Sequence, residues 1–132
     1  MKFVVWGVLL LSFSCGLKPG SNSANDPAPS YPIVKQGTFI GQNGRQVSGG
    51  AIVYNPSGSD YIFRLAGIST PEEGGLQVRA VTQGGTNILV ATLRASSGNQ
   101  NYYYTAGGAT VWSQVVIYSG TNSIEYGLAV LP

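Results

Sequence analysis

Histidine is missing from all 132 residues. Its absence removes the side chain that most often acts as a general base near neutral pH, the commonest zinc ligand and every Ser-His-Asp arrangement. It also leaves no histidine to serve as a haem axial ligand. Cysteine occurs once, as Cys15, so the chain can form no internal disulfide. Charge is sparse: 9% of residues are charged, with seven basic and five acidic side chains and a formal net charge of +2. Arg45, Arg64, Arg79 and Arg94 fall in separate segments. They form no clustered basic stretch of the kind nucleic-acid binding requires, so no nucleic-acid partner is expected. Long apolar runs are absent as well. The longest, residues 3–13, would reach about 16 Å as a helix against a hydrocarbon core of about 30 Å, which excludes a transmembrane span.

What stands at the N-terminus is a short export leader. Lys2 is followed by the apolar stretch and then by Ser12-Phe13-Ser14-Cys15. A charged start, a greasy middle and small residues before a cysteine form a bacterial lipoprotein signal. On that reading residues 1–14 are removed and Cys15 becomes the acylated first residue, which makes the membrane a partner through the N-terminal lipid. The same Ser12-Phe13-Ser14 also satisfies simple secretory cleavage, and Leu11 stands four residues before the cysteine where the lipoprotein pattern usually places it three before. The lone thiol favours lipidation, since an exposed free cysteine would be a liability. The expected location is the cell envelope, lipid-anchored on the periplasmic face of the outer membrane or the cell surface, or secretion if Cys15 is not acylated.

Residues 15–32 carry Pro19, Pro27, Pro29 and Pro32 among Gly, Ser, Asn and Ala. This composition describes a flexible linker that holds a folded part away from its anchor. Residues 33–132 then supply about a hundred residues, enough for one core. Their hydrophobic period is two. Tyr61, Phe63 and Leu65 alternate with Ile62 and Arg64; Leu76, Val78 and Ala80 with Gln77 and Arg79; Ile124, Tyr126, Leu128 and Val130 with Glu125, Gly127 and Ala129. Turn clusters separate the runs, at Asn55-Pro56-Ser57-Gly58, Gly84-Gly85-Thr86-Asn87, Ser96-Ser97-Gly98-Asn99 and Ser119-Gly120-Thr121-Asn122. The pattern predicts an all-β domain, an antiparallel β-sandwich or barrel-like fold of about eight short strands. They fall near residues 37–41, 46–54, 60–66, 76–83, 87–94, 100–105, 113–118 and 123–131. Phe63, Leu65, Val116, Ile117 and Tyr126 are the expected core residues.

The domain offers little for catalysis. Its acids are Asp60, Glu72, Glu73 and Glu125. Adjacent Glu72 and Glu73 would diverge on a strand, and nothing in the sequence arranges Asp60 and Glu125 as a facing pair. No metal site, cofactor or catalytic residue is expected. Gly49-Gly50 and Gly107-Gly108 lack the strand-to-helix setting of a phosphate loop. Aromatics carry the binding signal. In Tyr102-Tyr103-Tyr104 the middle ring faces opposite its neighbours, and Trp112 and Tyr118 follow. Tyr103, Trp112 and Tyr118 are the candidate surface for stacking a glycan or a peptide; the alternative is that such rings pack at a sandwich edge with their polar tips in water.

The order of segments resembles the DM-thirteen domain family, the proposed electron-transfer module of Skeletor-like proteins. The resemblance rests on Gly37-Thr38-Phe39 and Val47-Ser48-Gly49-Gly50-Ala51-Ile52-Val53-Tyr54 at the start. Leu93-Arg94 with Gly98-Asn99-Gln100-Asn101-Tyr102 carries it through the middle. At the end stand Trp112-Ser113-Gln114-Val115-Val116-Ile117-Tyr118-Ser119 and Ser123-Ile124-Glu125-Tyr126-Gly127-Leu128-Ala129-Val130-Leu131. It covers residues 35–131 and implies a β-sandwich with an envelope role. The family's Gly-Pro-Asp-Leu turn reads Glu73-Gly74-Gly75-Leu76 here, and its usual cysteine after the Val-Val-Ile strand is Ser119. The thiol that underlies the family's redox proposal is therefore replaced by an alcohol. The functional expectation is a non-enzymatic, lipid-anchored envelope domain acting as a structural or interaction module toward an envelope protein or glycan. The alternatives are a ligand-binding module using the surface aromatics, and electron transfer with a bound cofactor or partner.

Overall fold

A computed structural model describes residues 23–132, which form an all-β domain. Alternation of the kind seen around Phe63 buries every second side chain of a strand on one side, and the described chain contains nine strands. They are β1 (Ser23–Asn25), β2 (Ile33–Gly41), β3 (Ser48–Ser57), β4 (Asp60–Ser69), β5 (Leu76–Thr82), β6 (Asn87–Thr92), β7 (Ser97–Thr105), β8 (Trp112–Ser119) and β9 (Ile124–Val130). They form one sheet in the order β1-β7-β4-β3-β2-β9-β8-β5-β6. All pairs are antiparallel except β1 with β7. The sheet curls into a half-barrel.

β2 makes the curl possible by changing partners along its length. Residues from Ile33 to Thr38 pair with β3, and Phe39, Ile40 and Gly41 pair with β9. Gly37 stands at this handover, where a Cβ would lie 2.0 Å from the Val130 carbonyl oxygen. Only a residue without a side chain permits that approach.

The concave face encloses the core. Phe39, Val53, Tyr61, Phe63, Leu65, Ile68, Leu76, Val78, Tyr102, Trp112, Val115, Ile117, Tyr126 and Ala129 pack together there. Phe63, Leu65, Ile117 and Tyr126 thus take their expected places. Val116 is fully buried as expected, but it lies outside this cluster. Val115 and Ile117 point inward, so the pleat turns Val116 to the convex face, in register between Arg79 and Leu128.

Two further differences concern boundaries. The ninth strand is β1, from the segment whose composition reads as linker. Ser97-Gly98-Asn99, read as a turn, instead opens β7, and the local pairing with β4 is irregular between Leu65 and Ile68. Gly98 has φ +97°, and it is the position against which β1 is laid. A glycine in a strand signals a close backbone approach as readily as a turn.

Candidate binding surface

The segment after β1 runs over the convex face as a strap and turns the outside of β7, β4 and β3 into part of the interior. The Asp26 carboxylate accepts from the Asn101 backbone N–H at 2.9 Å and pairs with the Arg94 guanidinium. Arg64 donates to the Asp26 carbonyl at 3.1 Å and to Asn101 Oδ1 at 2.9 Å, while Asn101 Nδ2 donates to the Pro27 carbonyl at 2.8 Å. The strap ends where the Asn55 N–H reaches the Pro32 carbonyl. Beneath it Ile62 and Arg64 are buried although they point away from the core. The Asn101 N–H, and after it Arg94, hold the Asp26 carboxyl below its usual range. The Arg94 guanidinium is held above its own by the bond to Asp26. Burial pushes the Tyr102 phenol up.

On top of this latch stand two exposed rings, Tyr31 from the strap and Tyr103 from the convex face of β7, 50% and 74% exposed. They border two grooves. The first, about 410 Å³, runs between the strap and β7 past Pro27, Pro29, Arg94 and Asn101. The second, about 280 Å³, continues past Pro56, Asp60, Ile62 and Thr105. The Asp60 carboxylate there accepts from the Thr105 and Ser57 hydroxyls at 2.9 and 3.2 Å. The surface therefore offers aromatic faces, proline rings and a rim of hydroxyl and carboxylate oxygens, with its arginines already engaged. Such groups can stack against a ligand and hydrogen-bond to it.

The sequence candidates separate. Tyr103 belongs to this surface. Trp112 does not: it is 1% exposed and lies edge-on against Tyr61, Phe63 and Tyr104 at centroid distances of 5.4, 5.0 and 6.0 Å. The register shift opposite Val81 and Thr82 breaks the alternation of β8 and turns Trp112 into the concave face, so it presents no ring to a ligand. Tyr118 is half-buried on β8 with the Arg79 guanidinium 5.1 Å over its ring, away from Tyr31 and Tyr103. Ser119 is fully buried, and its Oγ accepts from the Asn122 N–H at 3.0 Å. A thiol in that position would be shielded, because burial in apolar surroundings raises a thiol's pKa and closes access. Cys15 lies outside the described residues.

The acids are also dispersed. Asp60 sits at the β3–β4 turn, Glu125 is opposite Tyr118 on β9, and the Glu73 carboxylate accepts from the Tyr126 hydroxyl at 2.8 Å. Among the described residues, no three His, Cys, Asp or Glu side chains are grouped as metal ligands. Tyr31 is the surface residue that sequence reasoning missed, since a proline-rich stretch without periodicity reads as linker. One signal was present: an aromatic held between Pro29 and Pro32 has little purpose in a free tether. Comparison with protein-family models, curated proteins and solved structures finds no match to this chain.

Proposed function

We propose that this chain is a non-enzymatic recognition module of the bacterial cell envelope, lipid-anchored through Cys15, that holds a glycan on the Tyr31–Tyr103 surface. The observation that carries the proposal is the exposure of two tyrosines on a face whose other polar groups are already paired. A sugar suits it: a ring with an apolar face to lay on a phenol and hydroxyls for the rim. The Asp26–Arg94 pair leaves the groove near neutral, which disfavours a strongly charged ligand. The DM-thirteen resemblance remains part of the proposal, and an all-β half-barrel is compatible with it. The burial of Ser119 gives no support to an electron-transfer role at that position.

The strap changes how the tether works. Chain from Cys15 to Ser23 can span at most about 28 Å, so the domain is held close to its membrane rather than on a long lead. Acyl chains contribute about 0.8 kcal/mol per buried methylene. The wild-type protein is expected to stay with membranes through a high-salt wash, and Cys15→Ser to release it or stall its processing. A soluble wild-type protein with an unmodified N-terminus would refute the anchor and leave the glycan surface to be judged separately.

That surface is tested by titrating the purified protein with cell-wall glycan fragments. Tyr103→Ala is expected to weaken binding about tenfold, equivalent to about 1.4 kcal/mol, with Tyr31→Ala acting in the same direction and Tyr118→Ala without effect. Equal affinity in the wild type and Tyr103→Ala, or no glycan binding at all, overturns the reading.

A further inference from the structure

The five acidic side chains of the protein, Asp26, Asp60, Glu72, Glu73 and Glu125, all lie among the described residues. The partners of each arginine can therefore be followed. Arg94 is paired with Asp26, Arg64 is spent on the Asp26 carbonyl and Asn101, and Arg79 on Gln77 and Asn87. Arg45 makes no ion pair among the described residues, and residues 1–22 contain no acid to supply one. Its guanidinium carbon stands 4.7 Å over the Tyr126 ring, and Nη1 donates to the Asn43 carbonyl at 3.1 Å. Glu73 is held on the hydroxyl of the same ring at 2.8 Å.

The loop that carries Arg45 is pinned to β9. The Gln42 N–H donates to the Tyr126 carbonyl at 2.9 Å, and Asn43 Nδ2 to the Glu125 carbonyl at 2.8 Å. The Arg45 N–H returns to the Gln42 carbonyl at 3.0 Å, and Val47 is buried in the core. The side chain is thus placed before any ligand arrives, and less freedom is lost on binding. It lines a groove of about 630 Å³ with Gln46, Ser48, Ser69 and Thr70. Ser48 and Ser69 are cross-strand partners at the end of β4. Neither they nor Gln46 make a side-chain hydrogen bond among the described residues.

These donors define a ligand. With Nη1 engaged, Arg45 keeps Nε–H and an Nη2–H that point the same way and match the two oxygens of a carboxylate. One cation among neutral groups balances one negative charge. A phosphate monoester carries nearly two and is usually met by several arginines. We propose that this groove is a second binding site, which takes the carboxylate of a small ligand on Arg45 and hydrogen-bonds the rest of it through Gln46, Ser48 and Ser69. It is separate from the Tyr31–Tyr103 surface. Tyr103 lies opposite Ile62, and Ser69 is seven residues further along β4, roughly 20 Å away at about 3.3 Å per residue.

The test is a titration of the full-length protein in an uncharged detergent, followed by NMR. The probes are N-acetylalanine and glucuronate, with N-acetylalanine amide, glucose and inorganic phosphate as controls. At least one acid is expected to bind about tenfold or more tighter than its neutral counterpart, and which one does so tells a peptide carboxylate from a sugar acid. Arg45→Gln is expected to remove that preference, and Arg45→Lys to weaken it about tenfold because the charge stays and the fork is lost. Ser48→Ala combined with Ser69→Ala leaves the loop and its ring contact untouched and is expected to weaken binding about threefold. It decides the matter if either Arg45 variant unfolds at a lower temperature than the wild type. Tyr103→Ala is expected to change nothing here, whatever it does to glycan binding. Acids that bind no better than their neutral counterparts overturn the proposal. So does phosphate binding tighter than both acids, full affinity in the double serine variant, or loss of acid binding in Tyr103→Ala.

Discussion

Trp112→Ala is expected to cost about 3–5 kcal/mol of folding stability, a large share of the roughly 5–15 kcal/mol that holds a small domain together. The ring is 1% exposed and is enclosed by Tyr61, Phe63 and Tyr104, so its removal opens a cavity that three rigid aromatics cannot readily collapse to fill. Trp112→Phe separates packing from polarity. The indole N–H is buried and has no hydrogen-bond partner among the described residues, and a buried unpaired donor costs about 1–3 kcal/mol. Phenylalanine removes that donor along with some volume, and the loss is expected to be less than half that of alanine. Denaturant unfolding followed by fluorescence and circular dichroism measures both. An alanine variant that loses less than about 1 kcal/mol would show that the ring is not central to the core. Loss of ligand binding in Trp112→Ala would report unfolding rather than a lost contact.

Gly98→Ala is expected to detach β1 and loosen the strap while the half-barrel stays folded. The residue has φ +97°, a region that costs a residue with a side chain about 1–3 kcal/mol. Its Cβ would also stand 1.9 Å from the Ala24 carbonyl oxygen, a contact relieved only by moving β1 away. The Asp26 N–H, bonded to the Asn99 carbonyl at 2.9 Å, should then exchange with solvent much faster than amides of β8. Because Tyr31 reaches the surface through the strap, glycan affinity should fall as it does in Tyr31→Ala, with Tyr103 left in place. Hydrogen exchange and the glycan titration check the two halves independently. Wild-type protection at Asp26 would mean that β1 docks without needing glycine at this position.

These outcomes bear on how much of the molecule was legible in its residues. The alternations around Phe63, Val78 and Tyr126 predict strands that are present, because a period of two is a local property and only a pleated chain buries it. Gly84-Gly85-Thr86-Asn87 marks a turn for an equally local reason, the backbone preferences of its residues, whereas of Asn55-Pro56-Ser57-Gly58 only Gly58 stands in the turn and the other three close β3. Half of the candidate surface was visible as well. In Tyr102-Tyr103-Tyr104 the middle ring must face away from its neighbours, and it does.

The lone cysteine, the all-β class and the opposition of Tyr103 to Tyr102 and Tyr104 follow from the sequence by itself, since each can be read from residues close together in the chain. The direction of Trp112 into the core, the burial of Ser119, the convex position of Val116 and the recruitment of residues 23–32 were decided by the tertiary structure. A strand's pattern says that it has two faces, but the inner one is chosen by partners many residues away. A proline-rich segment has no pattern at all. It is held here by Arg64, Arg94 and Asn101, long-range hydrogen bonds and an ion pair that composition does not encode.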